Sequence, residues 1–211
     1  MRTIITVALF LVSIPLLATP STLVTIPSTD IQPKGVWHFG ADSMGNSNGS
    51  FTDVGLTYGI SSRVEAGVDL VTGQDNPLWF NGKVQLLPPD KSPVALAVGI
   101  YNTGTASLTN QSIAYIVGSS TISGTRLTYG GYKGQSDALG DDDNGIMLGI
   151  DRTMGKWWLG ADYASGKNAI GSWNVGVGYS FTDKISVILG YDNFNTEGVP
   201  DAFNVQLDAN L

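Results

Sequence analysis

The sequence predicts an all-β protein: a closed up-and-down antiparallel transmembrane β-barrel of about twelve strands, following an N-terminal signal peptide. Three observations predict it. From residue 36 on, apolar residues alternate with small or polar ones in segments of about the 9 to 11 residues that a tilted membrane-crossing strand needs. The connections between these segments alternate between short and long. Charged residues make up 14% of the 211, well below the roughly one quarter usual in soluble domains.

Residues 1–21 carry Arg2, then an apolar run from Ile4 to Ala18 broken by Thr6, Ser13 and Pro15, then small and polar residues. That is the layout of a secretory signal peptide, and the run is shorter than the roughly 20 residues of a spanning helix. Leu16 stands where cleavage after Ala18 would want a small residue, and Ser21 offers another cleavage point. Residues 22–35, TLVTIPSTDIQPKG, hold two prolines and no clean alternation, so they form a leader strap before the barrel, residues 36–211.

Within the barrel the expected strands are 36–43, 51–61, 63–72, 77–87, 93–103, 111–121, 125–133, 145–153, 156–165, 169–181, 184–194 and 202–211. Alternation is faintest in the sixth and seventh, and no segment has a helical period. ISSR, PPDKSP, TMGK and FTDK make short turns. SMGNSNGS, VTGQDNP, NTGTASLTN, KGQSDALGDDDN, ASGKNA and NTEGVPD make the longer loops of the other rim.

One register of the strands collects residues such as Val54, Leu56, Val68, Leu70, Leu148, Leu159, Leu189 and Val205, almost without charge. The other collects His38, Asp42, Asp53, Glu65, Asp69, Lys83, Asp151, Asp162, Asn174, Asp192, Asn204 and Asp208 among Gly, Ser, Thr and Asn. A soluble sheet facing bulk water is usually dense with Lys and Glu, so this small-residue polar face suits a confined lumen and the apolar face suits lipid. Trp37, Tyr58, Trp79, Trp157, Tyr163, Tyr179, Phe181, Tyr191 and Phe203 stand toward strand ends, as interfacial girdles do.

Six hairpins recur every ~30 residues, each with Gly, any residue, then Asp or Tyr on the strand rising to the long loops. These positions are Asp42, Asp69, Tyr101, Tyr132, Asp162 and Asp192, all in the lumen register. If the twelfth strand pairs with the first, the four acids form an arc faced by the two tyrosines, with His38, Glu65 and Lys83 also lining the lumen. Such confined acids attract cations and disfavour anions. The plainer reading is that Asp is common where strands meet loops and Gly where a lumen is crowded.

Other chemistry finds little support. There is no Cys, and the net charge of −7 leaves no basic stripe for nucleic acid. His38 is the only histidine; a Ser-His hydrolase, as in twelve-stranded outer-membrane phospholipases, would need it facing lipid, whereas parity turns it inward. No GxSxG elbow is present. GDDDNG, residues 140–145, lacks the spacing and the terminal Glu of a calcium loop. Tyr129, Trp157, Trp158 and Trp173 could stack sugars, with girdle anchoring the simpler role. No enzyme, metal site or cofactor is expected.

The hairpins VGLTYGISSRVEAGVDL, MLGIDRTMGKWWLGADY and VGVGYSFTDKISVILGYD resemble those of Gram-negative-type, porin-like outer-membrane β-barrels. The end, FNVQLDANL, resembles the terminal strand read by the barrel assembly machinery, except that Leu211 replaces the usual aromatic. This resemblance implies the cell outer membrane as location, with outer-membrane lipid, the assembly machinery and small solutes or ions as partners. The function expected is a narrow, cation-leaning passive diffusion channel. Two alternatives stand beside it: a structural or surface-interaction barrel whose lumen is blocked by the strap or by the KGQSDALGDDDN loop, and a secreted soluble β protein.

Overall fold

A computed structural model describes residues 21–73, 77–105 and 110–211. The expected signal segment lies outside the described residues except for Ser21, as do parts of two of the long loops. The strands are β1 (Trp37–Asn46), β2 (Gly49–Ser61), β3 (Val64–Val71), β4 (Leu78–Leu87), β5 (Ala95–Thr103), β6 (Ile113–Ile122), β7 (Thr125–Lys133), β8 (Asn144–Met154), β9 (Trp157–Ala164), β10 (Ser172–Ser180), β11 (Ile185–Phe194) and β12 (Ala202–Asn210). Each pairs antiparallel with its sequence neighbours, and β12 pairs with β1, so the sheet closes and leaves no unpaired edge.

The period-two pattern decides which way each side chain points. Along β12, Phe203, Val205 and Leu207 are exposed on the outer face, while Asn204, Gln206 and Asp208 are buried inside. The same inversion of a soluble core holds for Leu148, Leu159 and Leu189 outside against Asp151, Asp162 and Asp192 inside. An apolar outer wall around a polar interior is the arrangement lipid requires. Among the described residues no helix is long and apolar enough to cross a membrane; the crossing elements are strands.

Three local features differ from expectation. β1 runs to Asn46 because Gly45 and Asn46 continue the ladder with Ser50 and Gly49. The expected first long loop is therefore a tight turn at Ser47 and Asn48, with Gly49 at φ +140°. A single helical turn, α1 (Ser136–Leu139), stands in the β7–β8 connection and buries Leu139. Finally, β6 turns Ile113, Tyr115 and Val117 inward, so one sector of the lumen wall is apolar.

That sector receives residues 21–35. They do not lie along a rim; they enter the barrel past Gly59 and occupy its interior. Lys34 bridges Gly59 in parallel, and farther in the strap reverses through a small hairpin in which Leu23 N–H donates to the Ile26 carbonyl (2.8 Å) and Ser28 N–H to the Ser21 carbonyl (2.9 Å). Leu23 and Ile26 pack against Ala97, Ile113, Val117 and Met147. Burying such side chains is worth about 1.5–3 kcal/mol each.

Candidate lumen site

Toward the long-loop rim, the inner wall carries paired Asp and Asn. Asn174 donates to Asp162 Oδ1 (2.7 Å) and Asn204 to Asp192 Oδ2 (2.6 Å), and Asn81 donates to Asp69. In each pair the Asn follows the Asp by 12 residues and stands on the adjoining strand. The hairpin repeat thus places a donor beside each of these three acids, which reduces the cost of burying a carboxylate.

The acids of the expected arc do different things. Asp162 is committed to the strap: its Oδ2 accepts from the backbone N–H of Val24 (2.8 Å), Thr25 (2.8 Å) and Ile26 (3.2 Å), and its Oδ1 from Thr25 Oγ1 (3.1 Å). Three successive N–H groups converging on one oxygen form an anion nest. Asp192 is fully buried beside Asn204. Asp42 and Asp69 line a cavity of about 320 Å³, joined there by Asp53, which stands opposite Asp42 in register.

This cavity, a vestibule between the strap and the long-loop rim, also touches Trp79, Tyr101 and Asn102. Its inner end is a layer of charge. Lys83 Nζ lies 3.1 Å from Glu65 and donates to the carbonyls of Ser21 (3.0 Å) and Asp30 (2.9 Å). Glu65 accepts from Ser21 Oγ (2.8 Å) and Gln32 N–H (2.6 Å). His38 sits between Asp208 and Asn210, each 3.1 Å from a ring nitrogen. Closer to the short-turn rim, Arg126 bonds Asp151 (2.8 Å) and the strap's Asp30.

The charge balance follows. Lys83 and Arg126 are each engaged by carboxylates, whereas Asp42, Asp53 and Asp69 make no salt bridge among the described residues. Asp53 Oδ1 is buried without a hydrogen-bond partner. The vestibule therefore gathers three carboxyl groups that no cationic side chain engages among the described residues. Tyr101 lines it and meets Tyr115 edge-on at 5.7 Å. Tyr132 does not; its hydroxyl donates to the Ser165 carbonyl (2.5 Å) and accepts from Asn168 (2.9 Å) among the long loops.

Aromatic residues on the outer wall group by rim. Trp157, Tyr179 and Phe181 stack in series near the short turns, at 4.8 and 5.3 Å, and Trp37 meets Tyr58 at 4.6 Å. Trp173, Tyr191 and Phe203 do the same near the long loops, at 5.8 and 5.4 Å, with Tyr163 opposite Trp173 in register. Two tryptophans read as girdle anchors belong to the lumen instead. Trp79 lines the vestibule. Trp158, one residue out of phase with Trp157, lies over Gly160, Gly176 and Gly178 and donates to Asp151 (3.1 Å).

Sequence reading gave no role to Asn81, Asn174 and Asn204 as partners of the acids, to Arg126, or to Asp53 and Asp208 at the vestibule. The 12-residue Asp to Asn spacing was the available signal for the first three.

No family model matches the sequence, and no curated protein matches it. Solved structures do match in fold. The KdgM porin superposes with a TM-score of 0.61 at 11% identity, over 82% of this chain and 98% of that one. The same porin in complex with disordered oligogalacturonate gives 0.59 at 12% identity, over 82% and 98%. The Acinetobacter baumannii outer membrane protein Omp33 gives 0.53 at 13% identity, over 83% and 97%. Twelve closed antiparallel strands, an apolar outer face and these likenesses make the chain, in fold, a porin-like outer-membrane β-barrel.

Proposed function

We propose that the protein is a narrow passive channel of the outer membrane for small solutes, cation-leaning, with no catalytic role. The observation that carries this reading is the vestibule, where Asp42, Asp53 and Asp69 face a cavity of about 320 Å³ with no cationic partner among the described residues. Confined acids in a low-dielectric wall raise the local concentration of cations and exclude anions. The ligand in the KdgM complex, oligogalacturonate, is a chain of acidic sugars, which this vestibule would repel. The strap narrows the path further.

Bilayer recordings in a potassium chloride gradient test it. The wild-type barrel should give a reversal potential of the cation-selective sign, and the triple variant Asp42→Asn, Asp53→Asn, Asp69→Asn should move it toward zero. An unchanged reversal potential would remove the acids from the account. A second reading, an occluded structural or interaction barrel, is favoured by the depth at which the strap is buried; folded protein that leaves the bilayer sealed would support it.

A further inference from the structure

The inner wall is shaped around the strap. Gly59 has room for Pro33 and Gln32 only because it lacks a Cβ, which would fall 2.0 Å from the Pro33 carbonyl oxygen and 2.6 Å from that of Gln32. A Cβ on Gly149 would fall 2.5 Å from Leu23 Cδ2, and one on Gly176 would fall 3.1 Å from Val24 Cγ2. Three wall glycines on three different strands therefore leave grooves for three parts of one segment.

Polar groups of the wall match the segment as closely. Asp162 takes the Val24 to Ile26 amides, Asn174 reaches Thr25 Oγ1 (2.8 Å), and Gln206 donates to the Val24 carbonyl (2.6 Å). Gln85 donates to the Thr29 carbonyl (2.8 Å), and Thr29 Oγ1 meets Ser119 Oγ at 2.6 Å. Almost all of these contacts run through wall side chains. The ladder between strap and wall is confined to the Lys34 bridge, beside Gly35 at φ +81°. A segment joined to the sheet by one bridge and otherwise bound by side chains is held as a ligand is held.

We infer that the lumen wall is a binding site for a short hydroxyl-rich hairpin, occupied in cis by residues 21–32, and that its seating on Asp162 sets the aperture of the channel. Aspartate is required because both oxygens accept, Oδ2 from the three amides and Oδ1 from Thr25 Oγ1 and Asn174, and a carboxylate meets both donor sets without presenting a donor of its own. An Asn at 162 turns one of its two accepting atoms into an N–H₂ group. Losing the nest frees the hairpin, and the space it leaves joins the vestibule to the short-turn end. The inference rests on the channel reading for its effect on current, but strap seating is measurable without it.

The test uses the full chain, which contains no native cysteine. Ser28→Cys reports seating, because position 28 is 0% exposed; a membrane-impermeant maleimide should label it slowly in the wild-type background and at least tenfold faster with Asp162→Asn. Single-channel conductance of Asp162→Asn should rise severalfold. Thr29→Cys with Ser119→Cys, oxidised in the Asp162→Asn background, should return conductance to the wild-type level, and a reductant should release it. Heat-modifiable gel migration selects folded barrel throughout, and Asp162→Ala replaces Asp162→Asn if the latter does not fold.

Equal labelling in folded wild type and variant would overturn the seating. Faster labelling with unchanged conductance would overturn the aperture claim while leaving the channel intact. Faster labelling with no current from any variant would overturn the channel reading itself, and the aperture claim with it.

Discussion

Two sectors of the same inner wall behave differently. Across β1 to β4 and β12 the lumen face carries Asp42, Asp53, Asp69, Glu65, Lys83 and Asp208, and a cavity stands against it. Across β5 to β8 it carries Ala97, Ile113, Val117 and Met147, and the strap's Leu23 and Ile26 pack against them. The barrel backbone is alike in both sectors. What differs is whether the inward residues can hydrogen-bond water. The wet sector keeps its space open; the apolar sector gains by filling it with the chain's own leader.

The sharpest way to break this comparison is to place the same charge on both sectors. Met147→Asp puts an uncompensated carboxylate against Leu23 and Ile26, and should cost about 3–5 kcal/mol in the urea unfolding of the refolded barrel. Met44→Asp, in the inward register opposite Asn204 and lining the vestibule, should cost about 1 kcal/mol or less. Equal costs would mean that the sectors are not distinct. Next in size, Leu23→Ala should cost about 2–5 kcal/mol of strap seating, read by faster labelling of a cysteine at position 28.

Glycine substitutions sharpen the contrast. Gly59→Ala drives a methyl into strap backbone that cannot swing aside, and should cost about 1–3 kcal/mol. Gly40→Ala, on the wet sector, meets nothing nearer than 4.0 Å and should be tolerated. The smallest effect belongs outside both sectors. At the long-loop rim, a hydrogen bond from Asn144 and the Lys133 ammonium hold the Asp143 carboxyl below its ordinary value of 3.8. A lowered native pKa means that the pair's contribution is complete above pH 3.8 and fades as pH falls through the native value. An NMR titration of Asp143 should show the low midpoint, and Lys133→Ala should raise it.

How much of this the sequence disclosed depends on which residues are considered. The barrel was legible because a strand with lipid on one side and water on the other must alternate, and β9 to β12 do so with little interruption. β6 was faint for a physical reason: Ile113, Tyr115 and Val117 face the strap while Ala114 and Ile116 face outward, so both registers are apolar and the period-two contrast vanishes. A strap inside the lumen was one of the alternatives, but the wall that receives it was not legible, because its apolar residues match a sector more than 70 residues away and no local pattern encodes that match. Nor could Asp162 be told from Asp192, since both occupy the same Gly-x-Asp frame and differ only in what approaches them.

The seam between β1 and β12 carries a further consequence, for the order in which the molecule forms. Leu211 N–H donates to the Trp37 carbonyl (2.8 Å), and the Gln206 to Val24 bond spans 182 residues of sequence. Contacts of such separation bear the largest loop-closure entropy and make folding slow. Since the leader connects directly to β1, closing the seam and enclosing the leader share one late kinetic step. Refolding should therefore show both events with a single time constant, and a leader that misses its wall would be trapped outside a finished cylinder.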